Sequence, residues 1–201
     1  MKKSVDFVWL EGELEAAVAR KLLPELSLDI SNAAFGVAKG NSRFWQEISR
    51  RNASAKAGLT VVALGDLEQE PCAGQLIARH LPRGCDNKFV LRLAVRMLES
   101  WLLADSEKMA AFLHIPLSKL PIDPDNLKHP KHELVRLAQQ HGTKAIRQDL
   151  VPEQGHSGIV GKGYRPRIEE FIQSHWRPRV AAKRSPSLRR AILALEALSK
   201  R

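Results

Sequence analysis

The chain has 201 residues, of which 44% are hydrophobic and 27% are charged, and this composition is that of a globular protein with a substantial apolar core. No run reaches the roughly 18 consecutive apolar residues that a membrane span requires, and the charged residues near the N-terminus predict that no signal peptide is present. Two cysteines cannot supply a disulfide framework, so a reducing, cytoplasmic location is predicted.

The formal net charge of +10 is concentrated in the second half of the chain. Residues 1–127 contain 16 Lys and Arg against 16 Asp and Glu, whereas residues 128–201 contain 16 against 6. One-sided basic charge is typical of proteins that bind a polyanion, because each neutralised phosphate releases counterions. The pattern therefore predicts a nucleic-acid partner; general solubility, or an acidic partner protein, is the alternative.

Short apolar runs alternate with segments of helical periodicity through the first half of the chain. The predicted strands cover residues 5–10, 33–37, 59–64 and 88–95. The predicted helices cover residues 13–26, 43–56, 71–81 and 97–103. Such alternation predicts an α/β fold with a mostly parallel sheet that helices cover on both faces.

The pattern changes after residue 105. Helices are predicted over residues 106–113, 131–141 and 165–175, and a final helix is predicted to begin at Ser185, whose side chain caps it. A proline- and aspartate-rich loop covers residues 116–130, and a glycine-rich loop covers residues 153–164. We expect an α/β core over residues 1–105 and a basic, mainly helical annex over residues 106–201 that packs on this core.

Acidic residues follow two of the predicted strands. Glu11 comes directly after the first strand, and Asp66 and Glu68 come just after the most apolar one. In extended backbone a two-residue spacing points both carboxylates the same way, into the crevice where α/β sheets form their sites. Converging carboxylates favour a hard cation, so Mg²⁺ or Mn²⁺ is predicted here, with Glu70 as a further ligand. Each acid taken alone is equally consistent with a solvated turn or a helix start.

Glu99 lies in the otherwise apolar stretch formed by residues 96–105. A carboxylate in such a stretch is expected to be buried, and a buried carboxylate needs a partner. Arg92, Arg96 or the predicted metal ion are the candidates. A structural ion pair and a place in the metal site both remain open for this residue.

The order of these motifs resembles a known family. Glu11-Gly-Glu before a helix, then Asp66-x-Glu68 after an apolar strand, resembles the Toprim pattern of a glutamate and a later Asp-x-Asp, with Glu68 in place of the second aspartate. Further motifs extend the resemblance over nearly the whole chain, to the bacterial Toprim-like family catalogued as domain of unknown function 4276. They are Glu70-Pro-Cys72, Glu99-Ser-Trp-Leu-Leu-Ala-Asp105, Lys128-His-Pro-Lys131, Ile146-Arg147-x-Asp149, Gly161-Lys-Gly-Tyr164 and Ser185-Pro-Ser-Leu188.

The resemblance implies a function as well as a fold. Toprim domains carry metal-dependent phosphodiester chemistry, and the related overcoming-lysogenisation-defect nucleases act in antiphage defence, often with an ABC-type ATPase. By this analogy Glu11, Asp66 and Glu68 are the catalytic metal site, and Glu70 and Glu99 are supporting ligands. The implied protein is a Mg²⁺- or Mn²⁺-dependent nuclease that works with such an ATPase.

The nucleic acid, DNA or RNA, is expected to bind along the basic half of the chain. The residues predicted to contact it are Lys131, Arg147, Lys162, Tyr164 and Arg165. A rival hypothesis, kept open by Glu68 in place of aspartate, is a non-catalytic regulatory subunit. It would use the basic half to dock a partner ATPase or nucleic acid.

Overall fold

Strands and helices alternate along the first half of the chain in the computed structural model, which describes residues 2–155 and 157–201. The strands are β1 (Lys3–Ser4), β2 (Phe7–Leu10), β3 (Leu28–Asp29), β4 (Ala34–Val37), β5 (Val61–Asp66) and β6 (Phe89–Ala94). The helices of this half are α1 (Glu13–Glu25), α2 (Asn41–Lys56), α3 (Ala73–His80) and α4 (Leu98–Leu103).

In the second half, the described residues form helices and no strands. The helices are α5 (Ser106–Leu113), α6 (Pro130–His141), α7 (Lys144–Leu150), α8 (Tyr164–Ser174), α9 (Pro178–Ala181) and α10 (Pro186–Ser199). Two short 3₁₀ turns, Leu117–Lys119 and Pro124–Asn126, lie between α5 and α6. In the part of the chain that the structure describes, no helix is long and apolar enough to cross a membrane.

The main sheet is parallel, with the strand order β4-β2-β5-β6, and β1 and β3 form a separate parallel pair. Helices cover both faces of this sheet. Along β5, Val62 and Leu64 belong to the apolar cluster that contains α1 and the later helices, whereas Val61 and Ala63 belong to the cluster that contains α2 and α3. This alternation explains why β5 is an unbroken run of buried residues, as expected for a strand that is covered on both sides.

Buried hydrogen bonds join the early helix α4 to the end of the chain. The indole of Trp101 donates to Ser187 Oγ at 2.8 Å, and the indole of Trp176 donates to the carbonyl of Trp101 at 3.1 Å. The fully buried carboxylate of Asp105 accepts hydrogen bonds from the backbone and the guanidinium of Arg177. Position 105 is the expected boundary between core and annex. Residues on both sides of it belong to one apolar cluster and are joined by these buried polar contacts.

The α/β class, the parallel sheet and the helices on its two faces are confirmed. Every predicted helix and strand is present, with ends that move by at most two residues, and Ser185 caps α10 by accepting from the Leu188 amide. The prediction that β5 stops before Gly65 was wrong, because Gly65 and Asp66 continue the ladder opposite Leu93 and Ala94. Four elements were missed, namely β1, β3, α7 and α9, which are too short to show a period.

Candidate functional site

The order of the strands in the sheet reverses at β2, because β4 lies on one side of it and β5 on the other. From β2 the chain passes through α1 to β4 on one side, and then through α2 to β5 on the other side. In open α/β sheets the crevice outside the strand carboxyl ends at such a reversal is the usual ligand site. Glu11 directly follows β2 and Asp66 is the last residue of β5, so both acids stand at this crevice.

Glu11 and Asp66 are in direct contact. The Asp66 amide donates a hydrogen bond of 3.0 Å to Glu11 Oε2, and both residues are buried. Gly65 makes this approach possible, since a Cβ at that position would lie 3.0 Å from Glu11 Oε2 and 2.9 Å from the Phe44 ring. The glycine before Asp66 is therefore a requirement of the site.

Glu15 is a third acid of the crevice, and the sequence analysis missed it. It lies in the first turn of α1, is only 7% exposed, and folds back over Gly12, where a Cβ would meet Glu15 Oε2 at 2.8 Å. Two signals were available in the sequence. Glu15 comes one helical turn after Glu11, and it directly precedes the apolar run Ala16–Ala19, as a buried acid would.

Glu99 in α4 is the fourth acid and is 1% exposed. Its Oε1 accepts a 2.8 Å hydrogen bond from the Tyr164 hydroxyl and lies 3.6 Å from Lys131 Nζ. Arg92 and Arg96, two of the three partners that the sequence left open, do not pair with Glu99. Arg92 donates to the Leu91 carbonyl, and Arg96 donates to the carbonyls of residues 68 and 70, so both guanidinium groups are engaged by backbone oxygens instead.

Three of these acids, Glu15, Asp66 and Glu99, line a pocket of about 290 Å³ together with basic and phenolic groups from the second half of the chain. The charged and phenolic side chains that line it are the exposed Glu13 together with Glu15, Asp66, Glu99, Lys131, Tyr164 and Arg165. Lys131 is the one lysine among them, and Arg165 already pairs with Glu169 at 3.7 Å. With Glu11 adjoining the pocket, four buried carboxyl groups face one lysine, so acidic groups outnumber basic ones among the buried side chains of the site.

The pKa values of these acids are raised first by burial and then by the neighbouring acids. Burial, and then the neighbouring carboxylates, raises the pKa of Glu15 to about 7 and raises that of Asp66 well above its ordinary value. The pKa of Glu11 is raised by burial, although the Asp66 amide opposes the shift. Burial lowers the pKa of Lys131, but Glu99, Asp66 and Glu15 outweigh it and raise the pKa overall. The raised pKa values mean that these acids keep their protons to a higher pH than free carboxylic acids do.

Glu68 and Glu70 do not join this pocket. Glu68 is exposed and has a φ of +52°, so the extended geometry predicted from the Asp66–Glu68 spacing was wrong. The backbone turns there because the Glu68 amide donates to the Arg96 carbonyl at 2.8 Å. Glu70 makes a two-pronged ion pair with Arg79, at 3.1 Å for each hydrogen bond. Both acids lie in the neighbouring cavity described below.

The predicted nucleic-acid contacts fall into two groups. Lys131, Tyr164 and Arg165 line the acidic pocket, where Tyr164 is buried with its hydroxyl on Glu99. Arg147 donates to the Gly142 carbonyl, and Lys162 forms an exposed ion pair with Glu153. The glycines around Lys162 serve packing, since a Cβ on Gly161 or Gly163 would collide with Asp149 at 2.4 or 2.8 Å.

The donor chemistry of the pocket fits a hard divalent cation. Carboxylate oxygens are its preferred ligands, and Asp66 Oδ1 is buried without a hydrogen-bond partner. A ready-made ligand set is not in place, because no three His, Cys, Asp or Glu side chains among residues 2–155 and 157–201 form a group that could hold a metal ion. The pocket therefore offers the charge and the oxygen atoms, and the carboxylates would have to converge around an ion.

Comparison of the chain with protein-family models, with curated proteins and with solved structures found no match.

Proposed function

We propose that this protein is a nuclease that depends on Mg²⁺ or Mn²⁺ and hydrolyses phosphodiester bonds in DNA or RNA. The observation that carries the proposal is the placement of four buried carboxylates and one lysine at the strand reversal of a parallel sheet. Buried like charges cost free energy unless a cation compensates them, and such an arrangement is typical of functional sites.

Asp66 would hold the ion through its unpartnered Oδ1, and Glu11, Glu15 and Glu99 are the carboxylates that stand around it. When bound, the ion would supply Lewis acidity toward the phosphate oxygens of the substrate. Neither the exposed Glu68 nor the paired Glu70 lines the pocket, so they are not proposed as principal ligands, although the Glu68 charge acts on Glu11.

The chain's own groups supply the remaining chemistry. Glu15, with a pKa of about 7, is matched to accepting a proton from an attacking water near neutral pH. Lys131 Nζ, whose side chain is 31% exposed, can turn from Glu99 toward a phosphate oxygen at the pocket mouth. Tyr164 fixes the Glu99 carboxylate through its hydroxyl hydrogen and so holds one wall of the pocket.

The biological setting is proposed from the motif series. Toprim-like identity within the family of unknown function 4276 would make this chain the cytoplasmic effector of an antiphage system, partnered by an ABC-type ATPase. The excess of Lys and Arg over residues 128–201 supports a basic annex that steers nucleic acid toward the pocket. Arg147, Lys162 and Arg165 would contribute to that steering field from the annex surface.

A non-catalytic role is the second candidate, and one observation favours it. Glu99 is already satisfied by Tyr164 and Lys131, and the acids are not grouped as a ligand set in the described part of the chain. In that case the pocket is a structural polar network, and the basic half docks a partner ATPase or nucleic acid.

Asp66→Asn separates the two functions, because it removes one charge with little change of shape. We expect the wild-type protein to cleave nucleic acid only with Mg²⁺ or Mn²⁺, and Asp66→Asn to lose that cleavage while its melting temperature without metal rises. Glu25→Gln, on the exposed end of α1, is the matched control and should retain activity. Calorimetric titration with Mn²⁺ gives a second readout. No Mn²⁺ binding and no cleavage by the wild type would favour the non-catalytic role.

A further inference from the structure

A second and larger cavity, of about 750 Å³, lies beside the acidic pocket at the same end of the sheet. It is bounded by the start of α2, the loop that follows β5 and the end of α3. Asn41 links the two sites, since it lines this cavity and its side chain is close enough to the Glu11 carboxyl group to oppose the rise in the pKa of Glu11. A chain that lies over Glu11 and Asp66 would therefore reach the acidic pocket on one side and this cavity on the other.

Two aromatic side chains form an aromatic wall of the cavity. The rings of Trp45 and His80 both line it and are stacked on each other, with centroids 4.5 Å apart and planes inclined by 23°. Trp45 is buried, whereas His80 is partly exposed. Flat rings held in this way are the platforms on which proteins stack nucleic-acid bases, whatever the base.

The other lining groups suit a neutral, hydrogen-bonding ligand. The charges of Glu70 and Arg79 cancel in their two-pronged ion pair, and Glu68 adds a negative charge at the rim, which disfavours phosphate. Uncharged polar side chains supply donors and acceptors around the aromatic wall. They are Asn41, Ser42, Gln46, Ser49 and Gln69. A planar group with several hydrogen-bonding edges and no charge matches this lining.

We propose that this cavity is a nucleobase subsite, in which a base of the nucleic acid stacks against the His80–Trp45 pair. The inference rests on the proposed nuclease function for its biological meaning, because it places a base next to the phosphate bound at the acidic pocket. The cavity volume lies within the usual range for small-molecule sites, roughly 300–1,000 Å³, so a base with its sugar fits.

Uncharged nucleosides test the subsite without involving the acidic pocket, since they carry no phosphate. Saturation-transfer NMR would be recorded with adenosine, deoxyadenosine, guanosine, cytidine and uridine in the presence of EDTA. We expect transfer to the base protons of the wild-type protein, and adenosine against deoxyadenosine shows whether the sugar of RNA or DNA is preferred. His80→Ala should weaken binding about fivefold or more, as loss of a stacking partner does. His80→Phe keeps a flat ring and should retain binding.

Two further variants complete the design. His141→Ala removes a histidine at the end of α6, outside the cavity, and should leave binding unchanged. Gln46→Trp places an indole in the cavity from an exposed position of α2 and should block nucleosides, even if His80→Ala fails to fold.

Two outcomes would overturn the subsite. One is that none of the nucleosides shows saturation transfer to its base protons, and the other is that wild type, His80→Ala and Gln46→Trp bind nucleosides equally well. Loss in His80→Phe as well as His80→Ala would overturn the stacking arrangement. Failure of the nuclease proposal gives a different result, namely nucleoside binding without any cleavage.

Discussion

The hydroxyl of Tyr164 donates a 2.8 Å hydrogen bond to Oε1 of Glu99, across 65 positions of sequence and inside the acidic pocket. The contact joins the start of α8 to the first turn of α4, and both residues are buried. Burial and the Glu99 charge together raise the pKa of Tyr164 well above its ordinary value of 10.0.

This pKa shift can be measured without any variant, because Tyr164 is the only tyrosine of the chain. We expect tyrosinate absorbance to stay absent in the native protein through the pH range where a free tyrosine ionises, and to appear only together with unfolding. An absorbance change near pH 10 in a protein that keeps its native circular dichroism would contradict the buried contact.

Tyr164→Phe removes the donor and leaves a buried carboxylate oxygen with Lys131 alone. We expect the free energy of unfolding to fall by about 1–3 kcal/mol, the cost of an unsatisfied buried acceptor. Glu99→Gln removes one of four like charges, so without divalent ions it should be neutral or stabilising. The double variant should recover part of the Tyr164→Phe loss. Chemical denaturation measures these free energies of unfolding. If the change in the double variant equals the sum of the changes in the two single variants, the two residues do not interact.

Glu15 should make the metal-free protein less stable as the pH rises. Its pKa is raised from 4.5 to about 7, so between these values the folded protein keeps a proton that the unfolded chain releases. Its stabilising contribution is complete below pH 4.5 and is lost as the pH rises through 7. Glu15→Gln lacks this titration, and its stability relative to wild type should grow by up to about 3 kcal/mol between pH 5 and pH 8.

Chemical denaturation in EDTA at several pH values measures this difference. A constant difference between Glu15→Gln and wild type would show that Glu15 titrates normally. If cations bind the pocket, excess Mn²⁺ should flatten the pH dependence of the wild type, because the ion replaces the protons.

Nucleic-acid binding by the basic half should depend steeply on salt. The logarithm of the affinity should fall linearly with the logarithm of salt concentration, and Arg165→Ala, at the pocket mouth, should lower the slope by about one. Lys200→Ala, next to the C-terminus, is the matched charge control and should have a smaller effect. If the affinity is independent of salt concentration, the basic half binds a protein partner and not nucleic acid.

Gly65→Ala tests whether the site depends on close packing of the backbone. The new Cβ would lie 2.9 Å from the Phe44 ring and 3.0 Å from Glu11 Oε2, and we expect a loss of about 1–3 kcal/mol in stability. Gly74→Ala is the matched control, since its nearest neighbour lies 3.8 Å away and it lies in helix α3. That control should be neutral or slightly stabilising, and equal melting temperatures for the two variants would contradict the packing argument.

The sequence was sufficient to place Glu11 and Asp66, because the carboxyl ends of parallel strands meet at one edge and both strands were plain in the apolar pattern. The direction of the Glu68 side chain relative to Asp66 was not predictable. It depends on the left-handed backbone conformation of Glu68, which a hydrogen bond to the distant Arg96 carbonyl stabilises. Glu15 was missed because a carboxylate in the first turn of a helix is usually a solvated one.

The partners of Glu99 show a different limit. Arg92 and Arg96 are its nearest basic residues in the sequence, whereas Lys131 and Tyr164 reach it through the packing of α6 and α8. No local period indicates which distant helix faces a given residue, so burial of Glu99 was predictable and its partners were not. The charge imbalance of residues 128–201 was visible in the sequence, but it does not show that Lys131 lies inside the pocket.

The order in which the pocket is assembled has a consequence for synthesis of the chain. Glu11, Glu15, Asp66 and Glu99 all leave the ribosome before Lys131 and Tyr164, which provide the counter-charge and the hydrogen bond that the carboxylates receive. A nascent chain that has emerged as far as α4 therefore holds four acids without their later partners. We expect such a ribosome-bound chain to remain sensitive to proteases until α8 emerges, and added Mn²⁺ should shorten that window if the acids bind it.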